Sequence, residues 1–213
     1  MCRALVHSVQ MPRVPPVLST ARLVLRPLTT ADGLGLEPLL NDPVVREMFH
    51  WSADTPTDGT QWAAAQLAMQ DQDAVAIRSY TWAVTLLGAD TLIGFAQLGS
   101  ITFQSGAEPA LALSPSSRGH GYGLEIMNEL VRWGFEDMVP DWARTSDNPD
   151  NGNRLGKMTA LAMPHNVASI AMLSRTLLDD QGIVTANQPG GTAQARAFGL
   201  TRQQYLRKQA ADD

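Results

Sequence analysis

The sequence predicts a single α/β domain: a mixed, largely antiparallel, strongly twisted sheet flanked by helices. Three observations predict it. Residues 80–87 and 92–101 read as strands on either side of the turn Gly88-Ala89-Asp90, with Trp82, Val84 and Leu86 on one side of the first, the pattern of an antiparallel hairpin. A second pair of strand-like segments, 183–187 and 193–201, flanks Pro189-Gly190-Gly191. Between the two pairs, glycines at 119, 121 and 123 separate a short apolar strand from a strongly amphipathic helix. With 213 residues, 44% hydrophobic and 17% charged, the chain is long enough for one well-buried domain and short for two.

The elements follow in order. Residues 1–19 read as a flexible leader, because Pro12, Pro15 and Pro16 oppose regular structure; residues 20–213 form the domain. Residues 23–28 are a strand. Thr30, Ala31 and Asp32 offer caps for a helix carrying Leu34, Leu36, Leu39 and Leu40. Asp42-Pro43 starts a short helix reaching Phe49, since proline is favoured at the first helical position. Thr57 or Asp58 caps a third helix whose apolar face holds Trp62, Ala65 and Met69. After the first hairpin, Ser105-Gly106 turns into a strand at 107–113. The helix over 121–138 carries Leu124, Met127, Val131 and Phe135 as one stripe, with Glu125, Glu129, Arg132 and Glu136 mainly outside it. Residues 139–156, rich in Asp, Asn and Gly, read as a long loop. A strand at 157–163 then leads through Pro164-His165-Asn166 to a helix with Ile170, Leu173 and Leu177. The second hairpin closes the fold.

Composition narrows the function. No stretch approaches the roughly 18 apolar residues of a membrane span, and the N-terminus lacks the layout of a signal peptide, so a cytoplasmic protein is expected. Cys2 is the only cysteine, which rules out an internal disulfide. His7, His50, His120 and His165 are scattered, without metal-ligand spacing, so no metal is expected. A net charge of −5 with only two lysines, Lys157 and Lys208, argues against nucleic acid as a partner.

Chemistry concentrates at Ser117-Arg118-Gly119-His120-Gly121-Tyr122-Gly123. A helix N-terminus carries unpaired N–H groups and partial positive charge, and residues without side chains let an anion approach them. The segment reads as a phosphate cradle. A P-loop is excluded because no lysine follows the glycines. A dinucleotide fingerprint is excluded by the glycine spacing and by the antiparallel strands before it. A coenzyme A cradle remains.

Here the residues resemble a known family. The run Ser116-Ser117-Arg118-Gly119-His120-Gly121 is similar to the Q/R-x-x-G-x-G/A acyl-CoA motif of the GCN5-related N-acetyltransferases, with Ser116 where Gln or Arg is common. Four stretches resemble the ribosomal-protein alanine acetyltransferase-like branch: Thr20-Ala21-Arg22-Leu23-Val24-Leu25-Arg26-Pro27-Leu28, Leu92-Ile93-Gly94-Phe95, Arg118-Gly119-His120-Gly121-Tyr122-Gly123-Leu124-Glu125, and Pro164-His165-Asn166-Val167-Ala168-Ser169-Ile170. The resemblance implies transfer of an acetyl group from acetyl-CoA to a primary amine, on a protein N-terminus or a small molecule, by direct attack.

The resemblance also implies roles. Leu111, Ala112 and Leu113 would offer backbone to the pantetheine, with an N–H near Leu113 serving the oxyanion. Arg118, Gly119, His120, Gly121, Tyr122 and Gly123 would hold the pyrophosphate, and Asn166 the pantetheine. Glu108 is the candidate base and Ser169 the candidate donor to the thiolate; their plain readings are a solvated carboxylate and a first-turn capping residue. Trp51 and Trp62 are candidate acceptor-pocket residues, with core packing as the alternative. Glu125 reads as a structural carboxylate near the helix start. The tyrosine that many members use as general acid is Leu173 here. Two alternatives stay open: an acyltransferase using another acyl donor, with Leu98, Leu113 and Leu173 setting the space, and a catalytically weak acyl-CoA-binding regulatory domain. A homodimer is compatible with the sequence but not derivable from it.

Overall fold

The computed structural model describes residues 14–71, 78–102, 106–138, 155–188 and 191–212. Eight strands form one sheet: β1 (Leu18–Ser19), β2 (Leu23–Pro27), β3 (Arg78–Leu86), β4 (Leu92–Thr102), β5 (Gly106–Leu113), β6 (Lys157–Ala162), β7 (Asp179–Gln188) and β8 (Gly191–Thr201), in the spatial order β1-β2-β3-β4-β5-β6-β8-β7. Every neighbouring pair is antiparallel except β5 and β6. A parallel pair needs a crossover, and α4 (Tyr122–Glu136) lies in it. Among the described residues the other α-helices are α1 (Gly33–Leu40), α2 (Pro43–Met48), α3 (Gly59–Asp71), α5 (Val167–Leu173) and α6 (Arg202–Asp212).

Both faces of the sheet are covered. One core joins Ile126, Leu130 and Val131 of α4 to Tyr80, Trp82, Val84 and Leu98 of the sheet. The other joins Leu36 and Leu40 of α1 and Trp62 of α3 to Ala83, Phe95 and Ala112. The alternation along β3 is therefore not one of core against solvent: every residue from Tyr80 to Thr85 is buried. Gly94 in β4 permits the close approach of β5, since a Cβ there would stand 2.1 Å from the Ala112 carbonyl oxygen.

Several expectations change. The expected leader is tied down at its end: Leu18 is buried and pairs with Leu25, and Trp82 Nε1 donates to the Pro16 carbonyl at 2.8 Å. Its residues 1–13, and 139–154 of the expected loop, lie outside the described residues. In α3 the inward residues are Trp62, Ala63 and Gln70, while Met69 is exposed; the Gln70 side chain accepts from the Thr81 N–H. On α4, Leu124 is half-buried and the covered stripe runs through Ile126, Met127, Leu130, Val131 and Phe135. The helix after Asn166 ends at Leu173, so Leu177 lies beyond it.

Candidate active site

β5 and β6 share one register pair, Ala107 with Met158. From Glu108 to Leu113, β5 stays paired with β4, from Gly99 to Gly94, and leaves β6. A gap opens between the two parallel strands. The strand phase decides which backbone groups face it. Ser114 N–H donates to the Ile93 carbonyl at 2.8 Å. In an antiparallel ladder alternate residues point their amides the same way, so Ala112 faces β4 while Leu111 and Leu113 face the gap. The structure thus corrects one expectation: Ala112 contributes its side chain to the core, and its amide belongs to the ladder rather than to a ligand.

The cradle closes the wide end of the gap. A short 3-10 turn (Pro115–Ser117) follows β5. Gly119 and Gly121 then adopt φ of 80° and 82°, a left-handed conformation that is costly for residues with a Cβ. Gly121 is the N-cap of α4 and supplies no side-chain cap. Two neighbouring helices differ: Asp42 caps α2 through Val44 N–H at 2.8 Å, and Asn166 caps α5 through Ser169 N–H at 3.0 Å. The first-turn N–H groups of α4 have no intrahelical partner. A Cβ on Gly123 would lie 3.6 Å from Met172 and 3.7 Å from Leu111, so the helix start sits between β5 and α5.

Charge gathers at the cradle through Arg22 of the turn between β1 and β2. Its Nε donates to Glu125 Oε2 at 2.8 Å, its backbone N–H to Oε1 at 2.9 Å, and its Nη1 to the His120 carbonyl at 3.0 Å. The guanidinium lies 4.7 Å from the Tyr122 ring centroid, and His120 stacks on the same ring. Thr20 also donates to Glu125. Partial burial opposes ionisation of Glu125, but the bonds from Thr20 and Arg22 outweigh it and hold the carboxyl below its ordinary range. Glu125 is thus a structural carboxylate. Arg22 is the cradle residue that sequence reasoning missed; its place in the quoted first stretch was the available signal.

Arg118 turns its side chain away from the glycines. Nε donates to the Leu113 carbonyl at 2.9 Å and Nη2 to Asp42 Oδ2 at 2.6 Å. Desolvation raises the Asp42 pKa, but Arg118 and the α2 amides lower it further, to a net value below the ordinary one. Glu108 is exposed at the start of β5, and Ser169 is half-buried one helical turn from Asn166. Trp62 is 2% exposed and packs on Phe95 at 4.9 Å; it is core rather than pocket surface. Trp51 is half-buried, stacks on Phe95 and also meets the Trp62 ring. Leu173 is buried core, and of the three tyrosines only Tyr122 is not buried.

A family model described as an acetyltransferase (GNAT) domain matches residues 22–176. The chain belongs to the GNAT acetyltransferase family. Among solved structures with this fold, a GNAT-family acetyltransferase from Bacillus anthracis is 15% identical with a TM-score of 0.68, covering 88% of this chain and 99% of the other. Spermidine N-acetyltransferase from Vibrio cholerae in complex with CoA and spermine is 16% identical with a TM-score of 0.64, covering 86% and 98%. RimL, a ribosomal L7/L12 alpha-N-protein acetyltransferase in complex with coenzyme A, is 15% identical with a TM-score of 0.62, covering 88% and 97%. Comparison with curated protein sequences gives no match.

In this GNAT chain the acyl-CoA motif is best read two residues later than the sequence suggested. The helix begins at Tyr122 with Gly121 as its cap, so Arg118-x-x-Gly121-x-Gly123 meets the pattern in full and Ser116 is no departure. Among the described residues no three His, Cys, Asp or Glu side chains gather as a metal site, and no helix is long and apolar enough to cross a membrane.

Proposed function

We propose that this protein transfers an acetyl group from acetyl-CoA to a primary amine by direct attack. The observation that carries the reading is the glycine-capped start of α4 at the mouth of the β5–β6 gap. The amides of 119–123 hold the pyrophosphate, with the helix dipole adding positive potential and Arg22 holding the loop backbone through the His120 carbonyl. The amide of Leu111 pairs with the pantetheine as a missing strand would. Asn166 commits its oxygen to the α5 cap, which leaves Nδ2 to donate to the same arm.

The amine must shed a proton before it attacks. Glu108, exposed at the narrow end of the gap and roughly 17 Å along β5 from Leu113, takes it through a chain of water molecules. Leu113 N–H, which points away from β4, stabilises the tetrahedral oxyanion. The thiolate leaves with a proton from the Ser169 hydroxyl or from solvent, since neither Leu173 nor the buried tyrosines can supply one. Leu98, Leu113 and Leu173 are all packed in the core, which supports a short acyl group. The acceptor is drawn from two classes suggested by structural neighbours: polyamines, as with the spermidine enzyme, and protein N-termini, as with RimL. Trp51 lines its pocket.

Calorimetry with acetyl-CoA tests the reading. Gly121→Glu places bulk and negative charge in the cradle and should weaken binding by at least about 100-fold, roughly 2.7 kcal/mol. Folded wild-type protein that binds no acetyl-CoA overturns the proposal.

A further inference from the structure

We propose that Arg118 and Asp42 are positioning residues that couple the cofactor cradle to α2, so that loading the cradle orders the wall on the acceptor side. The inference rests on the acetyl-CoA reading above and goes beyond it.

α2 has six residues, and Val45 alone among them is buried. Polar ties fix it instead. At its N-terminus, Asp42 uses one oxygen to cap the helix and the other to receive Arg118 at 2.6 Å. In its last turn, Glu47 meets His165 at 3.3 Å. These two partners stand on different sides of the β5–β6 gap: Arg118 on the loop between β5 and α4, and His165 on the turn between β6 and α5, next to Asn166. α2 therefore spans the gap, hung at one end from the cradle and at the other from the α5 cap. Trp51, whose N–H donates to the Arg46 carbonyl at 2.9 Å, extends from the end of this helix.

Arg118 is the more informative tie. One guanidinium group bonds the Leu113 carbonyl and the Asp42 carboxylate, while the Arg118 carbonyl lies 2.8 Å from His120 Nδ1. The end of the splayed strand, the cradle loop and the cap of α2 meet at one side chain. The planar fork of an arginine serves two acceptors in fixed directions, which a lysine cannot do. An anion held by the amides of 119–123 fixes the loop, the loop fixes Arg118, and Arg118 fixes α2.

Hydrogen–deuterium exchange with and without acetyl-CoA tests the coupling. In the wild type, acetyl-CoA should slow exchange at both 119–125 and 42–49, by roughly 10-fold or more at saturation. Asp42→Asn retains a good helix cap but removes the charge that faces Arg118. It should keep the slowing at 119–125 and lose it at 42–49. Arg118→Gln should lose it at 42–49 as well. A purely structural tie would raise exchange at 42–49 in both states and leave the acetyl-CoA-dependent difference intact; that result overturns the coupling. Wild-type slowing at 119–125 with none at 42–49 overturns the coupling alone. No slowing at 119–125 in the wild type overturns the acetyl-CoA reading and the coupling together.

Discussion

Gly121 combines two properties that other residues do not: it tolerates φ of 82° and it leaves a helix start without a side chain. Alanine there would incur the left-handed cost of about 1–2 kcal/mol and meet Arg22 Nη2 at 3.4 Å, so Gly121→Ala should weaken acetyl-CoA binding less than Gly121→Glu does. Glu108 is a different kind of residue, exposed and remote from the cradle. Glu108→Gln should lower kcat near pH 7 by about 10²–10⁴-fold with the acetyl-CoA dissociation constant unchanged; calorimetry and a steady-state assay together check it, and equal loss of binding would assign Glu108 a structural role. Arg22 acts on the backbone of the cradle. Arg22→Lys keeps the charge but loses the fork that holds Glu125 and the His120 carbonyl. It should weaken acetyl-CoA binding nearly as much as Arg22→Ala does in a calorimetric titration. The left-handed glycines and the Asn166 cap were legible in the sequence because they follow from local backbone geometry. Arg22 was not, because its partner Glu125 lies 103 positions away.

At the scale of elements, helix ends and crossings carry the predictions. α1 and α3 meet through glycines: a Cβ on Gly59 would lie 1.8 Å from the Gly33 carbonyl oxygen. Gly59→Ala must push the helices apart and should cost about 1–3 kcal/mol, read as a lower urea midpoint with an unchanged slope. Removing the α5 cap by Asn166→Ala should cost about 0.5–2 kcal/mol by the same measurement, in addition to weaker cofactor binding. The sequence overextended α5 because Ile170, Leu173 and Leu177 keep helical spacing. In the fold, Ser174 and Thr176 hydroxyls bond the Ile170 and Leu173 carbonyls, the helix stops, and Leu177 N–H turns to Asn128. α6 went unread although its signal was present: Thr201 and Gln204 form a reciprocal capping pair, the Thr-x-x-Gln spacing of a helix start.

At the scale of the whole molecule, buried and half-buried carboxylates join separate elements. Asp32 accepts from Arg26 at 2.5 Å and 2.9 Å, Asp42 from Arg118, and Glu125 from Thr20 and Arg22. At Asp32, as at the other two, desolvation raises the pKa, but the hydrogen bonds, from Arg26 and Thr29 at this site, bring it below the ordinary value. A carboxyl whose folded pKa is depressed stabilises the fold fully above its unfolded pKa, about 4, and loses that contribution as pH falls through the folded value. The stability advantage of wild type over Glu125→Gln should therefore be constant from pH 7 to about pH 5 and shrink below about pH 4. Denaturation midpoints across that range check it, and a difference independent of pH would mean that packing rather than charge is at work.

The sequence alone determined the strand pairs joined by short turns, the glycine-marked helix start and the family, because these rest on local pattern: alternation, capping residues and glycine spacing act within a few positions. Tertiary structure decided the rest of the site. The divergence of β5 from β6 depends on how a parallel pair closes over the crossover through α4, and the phase that sends Leu111 and Leu113 into the gap and Ala112 into the ladder is set by pairing with β4. Arg118 reaches Asp42 across 76 positions, a contact between charges whose distance only the folded chain defines.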